Sequence, residues 1–273
     1  MDKLISFVKI FEVKKTGGKL NIIFIILMVL LLLFILTPLI GTIFSISIKD
    51  FISLWVDPEV INSIRRTFWA AFLAVFFCGL VGIPTAYLLA RFAFPGRGVL
   101  QAFVNIPLVI PHTAAGVALL LVFGRYGIFG KFFQQVGIVF TDRLAGVVVA
   151  MAFVGVPFLV NASRQAFASI DIDLESAARV DGASGWQVFR WITLPLAWRG
   201  ILNGAVMMWA RGVSEFGAVA IIAYHPKIVP VLVFERFQGF GLKAALPVTV
   251  FLILAAVLVF ILLSTVLLPR EEN

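Results

Sequence analysis

Long apolar runs, broken by short polar stretches, dominate the pattern along the chain. Windows of about 20 apolar residues, enough to cross a bilayer as a helix, occur near residues 20–47, 67–90, 99–124, 144–164, 200–222 and 244–268. None shows the alternation of a barrel strand, so the runs predict helices. The expected fold is an all-α membrane protein with about six transmembrane helices. Residues 1–19 read as a cytoplasmic N-terminal tail, residues 20–268 as one transmembrane domain, and residues 269–273 as a cytoplasmic tail.

Composition points the same way, because 62% hydrophobic residues against 13% charged ones carry more apolar surface than a water-soluble fold can hide. Lys3, Lys9, Lys14, Lys15 and Lys19 precede the first run as they would in a signal peptide. That run is longer than a signal core, however, and residues 42–47 lack a small-x-small cleavage pattern, so an uncleaved anchor is expected. With the N-terminus inside, the inner segments hold the larger share of Lys and Arg, led by those tail lysines. The expected location is the cytoplasmic (inner) membrane, multi-pass, with both termini inside. The net charge of +8 then serves anionic lipid rather than nucleic acid. Cys78 is the sole cysteine, which excludes an intrachain disulfide and reads as a buried, inert thiol.

Prolines punctuate the apolar runs at Pro84, Pro107, Pro111, Pro157 and Pro247. Pro107 and Pro111 are four apart and therefore expected on one helical face, either of a bent packing helix or of a deformable pore wall. External connections are expected near 48–66, 125–143 and 223–243.

The cytoplasmic connection from 165 to 199 is the long one, and its residues are patterned. Asp171 and Asp173 can cap a helix running to Asp181, with Gly182 as its left-handed stop. Ser184-Gly-Trp-Gln187 has the form of a capping box and predicts a second short helix over 185–192, which Pro195 is expected to end. Ala177 and Ala178 leave the first helix nearly bare, while Trp186, Phe189, Trp191 and Ile192 give the second an apolar body. A flat helix-turn-helix of this kind either enters a groove in another protein or pads the membrane surface.

The same residues resemble the EAA loop of ABC-importer permease subunits: Glu-Ala-Ala, three residues, Gly, nine residues, then Ile-x-Leu-Pro. Ala177, Ala178, Gly182, Ile192, Leu194 and Pro195 fall in register, while Ser176 stands where the family has glutamate and Glu175 lies one residue earlier. The resemblance implies the type I importer transmembrane-domain fold. It also implies a coupling helix, formed by Glu175, Ser176 and the residues in register, seated on a separate ATPase. The implied partners are a second copy of the chain (a homodimer), two ATP-binding subunits, an external solute-binding protein and the lipid bilayer.

Arg211 and Glu215 lie four apart inside an apolar run, so they can pair on one helical face. The pair is either a brace between helices or part of the translocation path or its gate. Arg211-Gly-Val-Ser-Glu-Phe-Gly217 also resembles the Arg-x-x-x-Glu-Phe-Gly motif of the oxyanion branch, and the stretches 223–226, 233–237 and 241–244 resemble its molybdate and tungstate members. That likeness implies a permease for molybdate or tungstate, with sulfate or another solute of the same fold as the alternative. An ATP-independent secondary transporter is a further alternative. Arg211, Ser214, Glu215, His112 and Thr113 are the expected pore or gate residues, and Asn105 is a polar neighbour.

No G-x-x-x-x-G-K-[ST] occurs, since Gly17-Gly18-Lys19 runs into leucine, and no G-x-S-x-G, zinc or dinucleotide motif occurs either. The chain is therefore expected to have no catalytic residues, no metal site and no cofactor of its own, with ATP and Mg on the partner ATPase.

Overall fold

The computed structural model describes residues 18–267, all secondary structure among them being helical. The expected tails lie outside these residues, apart from Gly18 and Lys19, which open the first helix.

The chain forms two units, divided after Ser47. The first holds helix α1 (Gly18–Phe44), uniformly apolar over residues 22–36. Three hydroxyls of this unit are satisfied locally: those of Thr37, Thr42 and Ser45 donate to the carbonyls of Leu33, Pro38 and Gly41, four residues back, at 2.6, 2.7 and 2.6 Å. Hydrocarbon offers such groups no alternative partner.

The second unit begins with α2 (Ile48–Ser53) and α3 (Pro58–Arg91), followed by α4 (Arg97–Asn105), a 3₁₀ turn (Ile106–Leu108) and α5 (His112–Phe123). Next come α6 (Ile128–Gln134), α7 (Leu144–Ala168), α8 (Ile172–Val180) and α9 (Gly185–Val188). A π-helical turn (Phe189–Thr193) leads to α10 (Leu194–Val213), then α11 (Gly217–Ile222), α12 (Val229–Phe240) and α13 (Leu242–Leu267).

The predicted apolar runs map onto these helices with two revisions. By length and apolarity α1, α3, α7 and α13 suffice to cross a bilayer, and α4 with α5 make a further crossing if a 110° bend is allowed within it. Pro107 and Pro111 therefore do not share a helical face: Pro107 sits in the 3₁₀ turn and Pro111 caps α5, on opposite sides of the bend. The run at 200–222 is likewise broken, into α10 and α11, and α10 is less apolar because it carries Arg199, Asn203 and Arg211.

Helix α3 starts well before the expected boundary at 67. Asp57 caps it by accepting from the amides of Glu59 and Val60, and Pro58 opens it where no amide donor is needed. At 34 residues it is about 51 Å long, against a hydrocarbon core of about 30 Å.

Helix α7 packs between α3 and α10. On the α10 side the contact is a seam of small residues: a Cβ added at Gly200 would lie 2.3 Å from the Ala166 Cβ, and one at Gly204 would lie 2.8 Å from the Ala162 Cβ. Close backbone approach of this kind is how helices associate where lipid removes the hydrophobic drive. Towards its other end, Val147, Ala150, Met151 and Val154 of α7 join Ala70, Ala71 and Ala74 of α3 and Ala218, Val219 and Ile222 of α11 in the main core.

Candidate functional site

The connection between α7 and α10 forms much as its residues dictate. The Asp171 carboxylate accepts from the Asp173 amide at 3.0 Å and starts α8. At the other end the Ala183 amide donates to the Ala178 carbonyl (3.0 Å) and the Gly182 amide to that of Arg179 (3.1 Å). Gly182 has φ +90°, which completes a Schellman stop. Ser184 and Gln187 then make a reciprocal capping box, at 2.7 and 3.4 Å.

The expected stop at Pro195 does not occur. Helix α9 widens into the π turn, where the Leu194 amide reaches the Phe189 carbonyl, and the path continues into α10. Pro195 thereby falls in the first turn of α10, the position that tolerates a missing donor.

Glu175 and Ser176 part company. The Glu175 side chain is buried, with its Oε1 accepting from Arg91 Nε (2.9 Å) and Thr193 Oγ1 (2.9 Å). Arg179 approaches the second oxygen at 3.7 Å. Arg91 also donates to the Ile170 carbonyl at 3.0 Å, so the last residue of α3 holds both ends of the turn into α8. Ser176 is exposed and its hydroxyl donates back to Ile172. Ala177 is exposed beside it, Ala178 half-buried, and Val180, Trp186 and Trp191 stand out into solvent. Asp181, Gly182, Ala183, Gln187, Trp191 and Ile192 line a shallow hollow of about 350 Å³.

A second polar group forms where the two broken runs meet. Arg211, near the end of α10, lies 2.8 Å from Glu215 in the break before α11. The other Glu215 oxygen accepts from the Ala218 amide at 2.8 Å, which caps α11. Arg211 Nη1 donates to Ser214 Oγ (3.2 Å), and Nη2 lies 2.8 Å from Nε2 of His112, the first residue of α5. His112 Nδ1 lies 3.3 Å from the same Arg211 nitrogen and 3.5 Å from Glu215.

Burial grades across this group: Glu215 is enclosed, Arg211 partly open, and His112, Thr113 and Ser214 exposed. A cavity of about 310 Å³, walled mainly by Phe68, Phe158, Trp209 and Leu252, opens beside Arg211 and Ser214. The short helices α5 and α11 touch backbone to side chain, since a Cβ on Gly217 would lie 2.8 Å from that of His112. Asn105 lies apart from this group and accepts from Asn161 Nδ2 at 2.7 Å.

A third group joins the start of α3 to α12 and the loop before it. Lys227 bridges Glu59 (2.7 Å) and Glu235 (2.6 Å), and Arg236 pairs with Asp57. Partial burial pushes the Asp57 carboxyl up, but the Arg236 hydrogen bond and charge, with the helix amides, hold it below its ordinary 3.8. Hydrogen bonds to Glu235 and Glu59 raise the Lys227 ammonium above 10.5.

Residues 82–269 match the family described as the inner membrane component of binding-protein-dependent transport systems. The chain belongs to this family. A molybdate/tungstate transport system permease protein of Thermococcus kodakarensis is 40% identical over 207 residues, 76% of this chain and 78% of that protein. Another of that name, from Methanocaldococcus jannaschii, is 38% identical over 246 residues, 90% and 96% of the two chains. A sulfate transport system permease protein of Salmonella typhimurium is 31% identical over 240 residues, 85% and 87%. Among solved structures, a bacterial alginate ABC transporter in complex with a periplasmic protein superposes with a TM-score of 0.72 at 19% identity, covering 91% of this chain and 93% of that one. An inward-facing methionine ABC transporter gives 0.61 at 21%, covering 76% and 94%.

The fold is thus the type I importer permease fold, and the chain is a multi-pass membrane component whose part is transport rather than catalysis. The region that matches the permease family takes in Arg91, the α8–α9 connection and the Arg211 group, while Asp57 and Glu59 precede it. Arg91 and Thr193, which clamp Glu175, carried no signal in the sequence, because Arg91 meets it only through the packing of α3 against the connection and Thr193 only through the fold of the connection on itself.

Proposed function

We propose that this chain is the membrane-spanning subunit of an ATP-driven importer for molybdate or tungstate. The observation that carries the reading is the identity of about two residues in five, over three quarters of the chain, to permeases named for those anions. Two copies form the core, with both termini inside, and an external binding protein delivers the solute. Two ATPase subunits, which hold ATP and Mg, dock on the α8–α9 connection.

In this reading Ser176, Ala177 and the hollow beside Gly182 meet the ATPase, while Ile192, Leu194 and Pro195 carry the connection into α10. Glu175 works from behind: its clamp to Arg91 passes movement of the connection to the end of α3. At the meeting of the broken helices, Arg211, Ser214 and His112, with Thr113 beside them, offer donors to a passing oxyanion. Glu215 neutralises Arg211 while the path is empty.

A second reading, sulfate import, is favoured by the 31% identity to a sulfate permease. The test is uptake of labelled tungstate by the complete complex in liposomes, with ATP inside and competition by molybdate and sulfate outside. Molybdate competing and sulfate not is the expected result. Equal competition by sulfate replaces the first reading with the second, and ATP-independent uptake removes both.

A further inference from the structure

Several half-buried arginines lie on the helices of the second unit, and some of them have a carboxylate. Arg91 has Glu175 and Arg211 has Glu215. Arg164 on α7 is half-buried too, and its Nε is enclosed without a partner. Among the described residues no carboxylate pairs with it. Arg164 sits about one turn from the end of α7, and an enclosed guanidinium nitrogen without a partner is costly there.

The neighbours of Arg164 suit an anion. Asn161 lies one turn away on α7, and its Nδ2 donates to Asn105 Oδ1 on α4 at 2.7 Å. That single bond leaves the Asn105 Nδ2 donors unspent. A guanidinium on the same helical face as Asn161, with spare amide donors on Asn105 and no carboxylate to compete, is a recognition set for a tetrahedral oxyanion.

Depth separates this group from Arg211. Gly212 packs on Met151, and Gly204 on Leu159 and Ala162, so α10 runs antiparallel to α7 with Arg211 level with the region of Met151. Arg164 therefore lies roughly 18 Å further along α7. Arg91 meets the Ile170 carbonyl only about two turns beyond it.

We propose that Arg164, with Asn161 and Asn105, forms a second oxyanion station, on the coupling-loop side of the Arg211 group. An anion leaving Arg211 meets a cation with no competing carboxylate, held in place by the Asn pair. This rests on the reading of the chain as an oxyanion importer but not on which anion it carries. A lipid phosphate is the other source of the same chemistry.

The test uses the complete complex in liposomes, comparing Arg164→Gln and Arg164→Lys with wild type for uptake of tungstate, molybdate and sulfate, each per ATP hydrolysed. Co-purification of the ATPase identifies folded variants. Arg164→Gln is expected to lower that ratio by about tenfold or more, and Arg164→Lys to recover part of it, in zwitterionic as in anionic liposomes. A ratio within twofold of wild type for Arg164→Gln overturns the station alone. So does a defect confined to anionic liposomes, which assigns Arg164 to lipid phosphate. Wild-type complex that transports none of the three anions overturns the station together with the importer reading. Transport of sulfate alone, lost in Arg164→Gln, retains the station and rejects only the molybdate or tungstate assignment.

Discussion

The Glu175 carboxylate lies 2.8 Å from the Arg91 guanidinium, tying the first turn of α8 to the last residue of α3. Both side chains are nearly enclosed, at 4% and 8% exposure. Removing Arg91 therefore leaves the buried Glu175 with only Thr193 and the more distant Arg179, and removing Glu175 leaves Arg91 with only the Ile170 carbonyl. Glu175→Ala is expected to cost about 3–5 kcal/mol for that reason. Arg91→Ala is expected to cost a similar amount, and the double variant clearly less than the sum. Thermal unfolding of the purified chain in detergent reads all three. Additive single costs would mean that the clamp is not an energetic unit.

The sequence disclosed this region unevenly. Local chemistry was legible: the Asp171 cap, the Gly182 stop and the Ser184–Gln187 box each depend on residues within one or two turns of each other. The same was true of Arg211 and Glu215, whose spacing of four survives even though the helix breaks between them. What required long-range packing was not legible. Arg91 meets Glu175 across 84 positions, and His112 meets Arg211 across 99. The bend before α5 was hidden for a related reason. Two prolines four apart suit a bent helix as well as a broken one, and only the fit of α5 against α11 decides between them.

Gly182 turns the chain at φ +90° with nothing within 4 Å of where a Cβ would stand. Gly182→Ala should therefore cost only the left-handed backbone penalty, about 1–2 kcal/mol, without a clash. Gly182→Asn should cost less, because asparagine tolerates that region. A bulky residue there would also fill the hollow beside Trp191, so Gly182→Trp is expected to lose ATPase co-purification where Gly182→Asn keeps it. If Gly182→Trp retains both ATPase binding and uptake, the hollow is not the docking surface.

The group joining Asp57, Glu59, Lys227, Glu235 and Arg236 predicts a defined pH response. Asp57 has a lowered folded value, so its contribution is present above the ordinary 3.8 and is lost as pH falls through the folded value. Lys227 has a raised one, so its contribution is complete below 10.5 and is lost as pH rises through the folded value. The unfolding temperature of wild type should exceed that of Asp57→Asn near neutrality, and the gap should close below about pH 4. The gap to Lys227→Gln should instead close on the alkaline side. A gap to Asp57→Asn that persists unchanged in acid would show that the pairing with Arg236 does not stabilise the fold.

The contact between α5 and α11 has no room for a methyl group. A Cβ on Gly116 would lie 2.9 Å from both the Cα and the carbonyl oxygen of Ala218, backbone atoms that no rotamer change can move aside. Ala218 is also the residue whose amide Glu215 binds, so displacing it pulls on the carboxylate that neutralises Arg211. Gly116→Ala should therefore cost about 1–3 kcal/mol of stability and, in addition, disturb the Arg211 group at a distance. The sign of that disturbance follows from geometry. With Glu215 drawn away, Arg211 keeps only Ser214 and His112, and its charge is more available to an anion entering the path. Uptake by the Gly116→Ala complex should then saturate at a lower solute concentration while its maximal rate falls, because tighter holding slows release. A variant that loses rate with the half-saturating concentration unchanged would mean that the tight contact serves packing alone and does not set the state of Arg211.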